Sequence, residues 1–259
     1  MGIIKVLAFG DVVGDTGCLY LRERLWEIRK REKLDAVIVN AENSAVKNGV
    51  DKASSEMLFD AGADVLTTGN HVWRQKGTDT LLENNTNILR PANYPEPCAG
   101  VGYTIVDVKG WRMLVVNLLG TVFMDPIDSP FHTLEKILKR EEGNFDFSIV
   151  DFHAEATSEK IALALHFDGR VSAVYGTHTH VQTNDARVLP SGTGFITDAG
   201  MTGVENSVLG IDAHLMIKKF MTRIPQYHNI ATGDIVAHGV IFSLDTDTGK
   251  CVEAKAFKE

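Results

Sequence analysis

The chain has 259 residues, a formal net charge of −8, 44% hydrophobic residues and 23% charged residues. This balance is typical of globular proteins and excludes disordered, fibrous and disulfide-rich scaffolds, and the length favours a single domain over residues 1–259. The three cysteines are widely spaced and fit a reducing cytoplasm. We expect a cytoplasmic protein that binds neither long nucleic acids nor membranes, because basic clusters and apolar runs of roughly 18 residues are lacking in the sequence.

Five short apolar runs each end in residues that ligate metals or form turns. They are residues 6–11, 36–43, 64–71, 147–153 and 172–180. Runs of this length, bounded by turn residues, are typical of strands buried on both faces. Helical patterning predicts helices at residues 16–31, 52–61, 129–139, 158–167 and 213–222.

Two hairpins interrupt this strand and helix alternation. Residues 90–102 are rich in proline and glycine and predict a loop, which leads into paired strands at 103–108 and 113–119. A second hairpin joins residues 235–244 to 251–257. The whole pattern predicts an α/β fold with either one mixed sheet or two stacked sheets, and with helices outside.

Polar side chains follow the five apolar runs. They are Asp11, Glu42, Asn43, Asn70, His71, His153, His178 and His180. Taken singly, each has an ordinary structural explanation as a turn former, a helix cap or a hydrogen-bonded core residue. Together they place carboxylate, amide and imidazole groups beyond the carboxyl ends of strands, where ligands collect, and such mixed donors suit Mn, Fe, Zn or Co. We expect His178 and His180 to point to the same side of an extended segment.

Several motifs carry a resemblance to a known superfamily. GNH at 69–71, the isolated His153 and GTHTH at 176–180, with Asp11 as the opening aspartate, resemble the blocks of calcineurin-like metallophosphoesterases. The resemblance is closer to the bacterial YmdB-like phosphodiesterase subgroup. It rests on GDVVG (10–14), NAEN (40–43), TTGNHVW (67–73), RPAN (90–93), DFHAEATSEK (151–160), DGRVSAVYGTHTHVQT (168–183) and TDAGMTG (197–203). It implies two stacked mixed β-sheets flanked by helices, an αββα sandwich.

The sequence departs from the broader superfamily at two positions. Val13 stands where the opening Asp-x-His block has its histidine, and Glu42 takes the place of the usual bridging aspartate. The subgroup resemblance accounts for both, with the amide oxygen of Asn43 replacing the missing imidazole. The alternative for Asn43 is a turn residue whose amide bonds to the backbone.

The resemblance implies a dinuclear site. One metal would be held by Asp11, Glu42, Asn43 and His180, and the other by Glu42, Asn70, His153 and His178. The ions would be divalent or mixed-valence transition metals, with Fe or Mn expected and Zn or Co as alternatives. His71 is the expected general acid; its alternative roles are hydrogen bonding behind the ligands or capping a helix.

The implied activity is hydrolysis of small phosphodiesters, cyclic nucleotides such as 2′,3′-cyclic AMP, by attack of a metal-bridging hydroxide. A phosphomonoesterase or a short-RNA nuclease could use the same site. A regulatory nucleotide sensor with incidental turnover is the alternative outside catalysis. A homo-oligomer is compatible with every one of these functions.

Overall fold

The structure, a computed structural model, describes residues 2–227 and 229–259. Within these ranges the chain forms twelve strands and six helices. The strands are β1 (Ile3–Val13), β2 (Ala36–Asn43), β3 (Val65–Thr67), β4 (Tyr103–Val108), β5 (Trp111–Leu119), β6 (Phe147–His153), β7 (Ala173–Thr177), β8 (Arg187–Val188), β9 (Gly194–Ile196), β10 (Met201–Val204), β11 (Ile235–Asp245) and β12 (Cys251–Lys258). The helices are α1 (Gly14–Glu32), α2 (Lys52–Ala61), α3 (Thr78–Glu83), α4 (Pro130–Arg140), α5 (Thr157–His166) and α6 (Ala213–Thr222).

The strands form two six-stranded mixed sheets. The first has the order β12-β11-β10-β1-β2-β3, and the amino-terminal part of β1 also pairs with β11. The second has the order β4-β5-β6-β7-β9-β8, with β5, β6, β7 and β9 parallel to their neighbours in this run. Because β1, β2 and β3 are also parallel, each sheet gathers several carboxyl ends at one edge.

Three hydrophobic clusters define the layers. The inner cluster lies between the sheets and contains Ile38 from the first sheet and Ile149 from the second. The second cluster packs α1 and α2 on the outer face of the first sheet and includes Leu25 and Val39. The third packs α4 and α5 on the outer face of the second sheet. The order is therefore helices, sheet, sheet, helices, which confirms the expected αββα sandwich.

Local signals explain several boundaries. Helix α2 begins with a reciprocal capping box between Asp51 and Ser54 and is followed by Gly62, its C-cap residue, in the left-handed conformation. Helix α4 begins with Pro130 in its first turn, where the missing N–H costs nothing. Helix α5 begins at Thr157, so the predicted start at Ser158 is wrong by one residue, and Ala156 is the cap residue.

Most predicted elements are present, with shifts at their ends. Strands β2, β4 and β6 and helices α2 and α6 have the predicted bounds. The extended segment predicted at 64–71 is shorter, because β3 ends at Thr67 and turns follow. Helix α3 and strands β8 to β10 were not predicted, because they are short and carry little periodicity. Among the described residues, no helix is both long enough and apolar enough to span a membrane.

Candidate metal centre

The eight predicted site residues lie close together, at or just after the carboxyl ends of strands from both sheets. Asp11 lies in the last part of β1, and Glu42 and Asn43 end β2. Asn70 and His71 lie in the turn after β3, His153 ends β6, and His178 and His180 follow β7. The structure brings seven of them together in two adjoining groups, and the eighth, His71, lies beside these groups.

The first group surrounds His153. Its Nε2 atom lies 3.0 Å from Glu42 Oε1, 3.1 Å from Asn70 Oδ1 and 3.0 Å from His178 Nδ1. Candidate ligand atoms of Glu42, His153 and His178 all lie within 4.8 Å of one another. His153 Nε2 carries at most one proton and can donate a hydrogen bond to only one of these neighbours. The group therefore presents more lone pairs than its hydrogen bonds can satisfy. A cation would satisfy them together.

The second group surrounds Asp11. Its Oδ1 atom lies 3.2 Å from Asn43 Nδ2 and 3.6 Å from His180 Nε2. The other oxygen, Oδ2, accepts the backbone N–H of His178 at 2.9 Å. Asn43 Nδ2 also lies 3.4 Å from Glu42 Oε1, so Glu42 contacts members of both groups. This is the relationship expected of a bridging carboxylate.

Gly69 makes the close approach of these donors possible. A Cβ atom at this position would lie 2.2 Å from Glu42 Oε2 and 2.4 Å from His153 Nε2. Any side chain would therefore fill the space between the donors and displace them. The glycine of the GNH motif and the mixed oxygen and nitrogen donors both fit a transition-metal site.

In each histidine of the two groups, the outer ring nitrogen, which points away from the centre, contacts another partner. His153 Nδ1 lies 2.9 Å from Thr177 Oγ1, whose hydroxyl donates to Asp151, so the ring donates to Thr177. His178 Nε2 lies 2.9 Å from Glu155 Oε2. In a neutral ring, the nitrogen that faces the centre then carries no proton and has a free lone pair. This arrangement is typical of metal-ligating histidines.

His180 follows the same rule through the backbone. Its Nδ1 atom lies 3.1 Å from the carbonyl oxygen of Leu209, so the N–H is on this side of the ring. The Nε2 lone pair then faces Asp11 and Asn43. In their neutral forms, all three imidazoles would thus direct an unprotonated nitrogen into the centre.

The carboxylates are held in their charged form. Burial raises the pKa of Glu42, but the charge of His153 and hydrogen bonds from His153 and His71 hold it well below its usual value. Burial likewise opposes ionisation of Asp11, and His180 reverses this and lowers its pKa. Two buried carboxylates therefore present negative charge to the centre at neutral pH.

The imidazoles respond to this negative charge. Burial lowers the pKa of His153, but Glu42 outweighs burial and raises it to about 9. Burial and the neighbouring His153 lower the pKa of His178 to about 4. The surroundings of His153 thus favour positive charge, while His178 keeps a free lone pair.

His71 lies beside Glu42 and Asn43. Its Nδ1 atom is 3.1 Å from Asn43 Oδ1 and 3.3 Å from Glu42 Oε1, and its backbone N–H donates to Glu42 Oε2 at 3.1 Å. The side chain is 20% exposed, in contrast to the fully enclosed ring of His153. Both its Nδ1 atom and its backbone N–H are thus engaged by Glu42 and Asn43.

The orientation of Asn43 bears on its predicted role. The amide nitrogen faces Asp11 and His180, and the oxygen faces His71. Ligation through the amide oxygen requires the amide to be rotated, which would point the oxygen at Asp11 and His180. The role of Asn43 as a ligand stays a prediction.

The expectation that His178 and His180 lie on one extended segment is wrong. Strand β7 ends at Thr177, and both histidines adopt positive φ values, 100° and 62°. The turn directs His178 to the His153 group and His180 to the Asp11 group. Backbone in this region costs energy and persists where surrounding contacts fix it.

Residues behind the ligands were missed by the sequence analysis. Glu155 and Thr177 hold the outer nitrogens of two histidines, and Asp151 accepts the hydroxyl of Thr177. Glu155 lies two positions after His153 within DFHAEATSEK, and the need of a ligating histidine for a second acceptor is the signal that could have found it.

A cavity of about 390 Å³ adjoins the centre. His180 forms one wall, and the other walls include Val181, Met201, Leu209 and His238. This volume is within the range of small-molecule sites. The centre thus has a partly apolar space beside it.

Comparisons with known proteins place the chain in a family. The YmdB-like protein family matches residues 7–257. A 2′,3′-cyclic-nucleotide 2′-phosphodiesterase of Bacillus subtilis (strain 168) is 40% identical over 250 residues, which cover 96% of this chain and 95% of the relative.

Two solved structures have the same fold over nearly their whole lengths. A hypothetical protein from Thermus thermophilus has a TM-score of 0.92 and 40% identity, covering 99% of both chains. A phosphatase from Mycoplasma pneumoniae has a TM-score of 0.93 and 34% identity, covering 100% of this chain and 94% of that one. The two stacked mixed sheets with outer helices are the calcineurin-like metallophosphoesterase fold. From the family match over residues 7–257 and the identity to the Bacillus protein, the chain belongs to the YmdB-like protein family.

Proposed function

We propose that this chain is a dinuclear metal-dependent phosphodiesterase that hydrolyses small phosphodiesters, with cyclic nucleotides such as 2′,3′-cyclic AMP as the substrate class. The observation that carries the proposal is the pair of donor groups around His153 and Asp11, which meet at Glu42 Oε1. The activity named for the Bacillus subtilis relative supports the choice of substrate.

The residues would hold two ions, Fe or Mn by their mixed oxygen and nitrogen donors, with Zn or Co as alternatives. Asp11, Glu42, Asn43 and His180 would bind one ion, and Glu42, Asn70, His153 and His178 the other. When bound, such ions polarise phosphoryl oxygens, neutralise developing negative charge and supply a water-derived nucleophile at neutral pH.

The chain's own residues fix the geometry of this chemistry. Glu42 lies between the groups. With Thr177 and Glu155 on their opposite sides, the neutral rings of His153 and His178 would present a free nitrogen lone pair to a cation, which would take the place of the proton that Glu42 favours on His153. The ends of β2 and β6 hold Glu42 and His153 in place. The protein therefore contributes position and charge.

His71 is the proposed general acid. Contacts of its Nδ1 atom with Asn43 and Glu42 orient the ring and leave Nε2 to deliver a proton to the leaving oxygen. Its partial exposure permits the proton to be regained from solvent. The leaving alkoxide of a ribose ring is a poor leaving group and needs this proton.

A small substrate fits the surroundings better than a polymer. The cavity beside His180 has space for part of a nucleotide, and the net charge of −8 disfavours long nucleic acids. The inner core that joins both sheets supports a single domain over residues 1–259. We also propose a cytoplasmic location.

The decisive experiment combines metal analysis with substrate profiling. Purified protein is assayed with Mn²⁺ on 2′,3′-cyclic AMP, on p-nitrophenyl phosphate and on a short RNA, and Glu42→Gln serves as the control for contaminating activity. We expect two metal equivalents and preferential turnover of the cyclic nucleotide. Faster turnover of the monoester or RNA would favour the alternative enzymes, and tight nucleotide binding without turnover would favour a sensor.

A further inference from the structure

A buried ion pair lies behind the metal centre and has no role among the predicted ligands. Lys160 Nζ of α5 is 2.7 Å from Asp198 Oδ2, and each side chain is 1% exposed. Removing two charges from water is costly, and a hydrophobic pair of the same volume is often as stable. The contacts of Asp198 indicate what the pair does.

Asp198 holds two backbone segments at once. Its Oδ2 atom accepts the N–H of Thr179 at 3.2 Å, and its Oδ1 atom accepts the N–H of Gly200 at 2.9 Å. Thr179 lies between His178 and His180. The carbonyl oxygen of Gly200 accepts the N–H of Asp11 at 3.0 Å. One carboxylate is therefore linked to ligands of both donor groups.

Lys160 reaches Asp198 across β7 because residue 176 is glycine. A Cβ atom at Gly176 would lie 2.7 Å from Lys160 Cδ and 1.9 Å from the carbonyl oxygen of Thr197. The lysine stem thus occupies the place of a side chain on the strand that leads to His178. This packing connects α5 with the turn that carries the two histidines.

The turn itself needs such support. His178 and His180 both have positive φ values, a conformation that non-glycine residues keep only when other contacts fix it. The hydrogen bond from Thr179 to Asp198 lies between them in the chain. Without it the turn could relax toward ordinary backbone, and the two imidazoles would move from their groups.

We propose that Lys160 and Asp198 are positioning residues that fix the His178–His180 turn and Asp11 in the geometry that binds metal. The proposal rests on the metal centre of the proposed function. The carboxylate form of Asp198 supplies two acceptor oxygens for two N–H groups, and the ammonium group of Lys160 balances its charge. A neutral amide has only one acceptor oxygen.

The test uses Lys160→Met and Asp198→Asn, with Leu134→Ala as a matched control. Leu134 is fully buried in α4 on the outer face of the second sheet, so its truncation lowers stability without touching the turn. Chelator-treated proteins are titrated with Mn²⁺ alone, and free Mn²⁺ is followed by electron paramagnetic resonance. Thermal unfolding and hydrogen exchange of residues 176–183 are measured on the same samples.

We expect Lys160→Met and Asp198→Asn to weaken Mn²⁺ binding about 10- to 100-fold, the usual effect of losing an outer partner of metal ligands. Exchange in residues 176–183 should accelerate in both variants. Leu134→Ala should keep its Mn²⁺ affinity despite a comparable fall in melting temperature. If a single variant does not fold, the double variant Lys160→Met/Asp198→Asn is measured, because it leaves no unpaired buried charge.

Unchanged Mn²⁺ affinity in the variants would overturn the positioning role. An equal loss of affinity in Leu134→Ala would also overturn it, since the effect would then follow from lowered stability. If the unaltered protein itself binds no Mn²⁺, Fe²⁺ or Zn²⁺, the proposed metal centre fails, which is distinguishable from failure of the positioning role alone.

Discussion

Glu42 Oε1 lies 3.0 Å from His153 Nε2, although the two residues end strands of different sheets. The distance is set by the packing of the sheets on their shared inner core, where Ile38 of β2 and Ile149 of β6 both lie. Side chains alternate between the two faces of a strand, so Ile38 lies on the same face of β2 as Glu42, and Ile149 on the same face of β6 as His153. Packing of the two isoleucines in the core therefore fixes where the two polar side chains lie. The contact between Glu42 and His153 is thus a direct product of the αββα packing.

Glu42→Gln should keep the fold but lose most activity. The amide has the shape of the carboxylate, but it lacks the charge needed to hold two cations. Loss of an outer hydrogen-bond partner of a metal ligand costs about 10- to 100-fold in activity. We expect a larger fall in kcat from Glu42→Gln, together with reduced metal content. Steady-state kinetics and elemental analysis check this, and a variant with two bound metals and unchanged turnover would contradict the bridging role.

His71→Ala should retain both metals and slow catalysis selectively. A general acid contributes typically about 10²- to 10⁴-fold, and its loss matters most when the leaving oxygen is basic. We expect alkyl or ribose leaving groups to suffer much more than p-nitrophenol. Comparing kcat for 2′,3′-cyclic AMP and bis(p-nitrophenyl) phosphate measures this difference. Equal slowing of both substrates would remove the proton-donor role of His71.

Asn43→Ala should deplete the metal beside Asp11 and His180 first. An amide oxygen is a neutral and weaker donor than imidazole, so this ion should be the more weakly held. Asn43→Asp should preserve binding, since it keeps an oxygen and adds charge. Metal content and anomalous scattering distinguish the two positions. Full occupancy of both in Asn43→Ala would show that Asn43 is structural.

His238→Gln should remove part of the pH dependence of stability. Burial, with the nearby charge of Lys258, lowers the pKa of His238 below its ordinary value of 6.5, partly opposed by Glu205. Below about pH 6.5, His238 therefore binds more protons in the unfolded state than in the folded state. The folded state loses stability as the pH falls from this value through the lowered pKa. Glutamine has no such proton uptake.

Urea unfolding of both proteins is measured between about pH 7.5 and 5.5, a range that brackets the ordinary histidine pKa. The other titrating groups are common to the two proteins, so the difference between them reports on His238. The unaltered protein should lose stability relative to His238→Gln across this range. Parallel loss in both proteins would show that His238 does not contribute.

Much of the fold follows from local pattern. The apolar residues of 36–43 and 147–153 specify strands β2 and β6 with their observed bounds, because buried parallel strands need little beyond an apolar run and a polar end. Helix α2 has the bounds that its helical pattern predicts, and the structure adds the capping box at its start. Elements of two to four residues, such as β8 to β10, depend on pairing with distant strands and leave no such local pattern.

The sequence by itself determined the eight residues of the candidate site, since each follows an apolar run and the motifs have a recognisable order. Their division into two groups depends on which strand ends face each other, and that is decided by the packing of the two sheets. The turn at His178 and His180 was predicted as extended, because positive φ values in non-glycine residues arise from contacts such as Thr179 to Asp198. The same holds for the Lys160–Asp198 pair: its members are 38 residues apart in the chain, and only the tertiary structure buries both charges together.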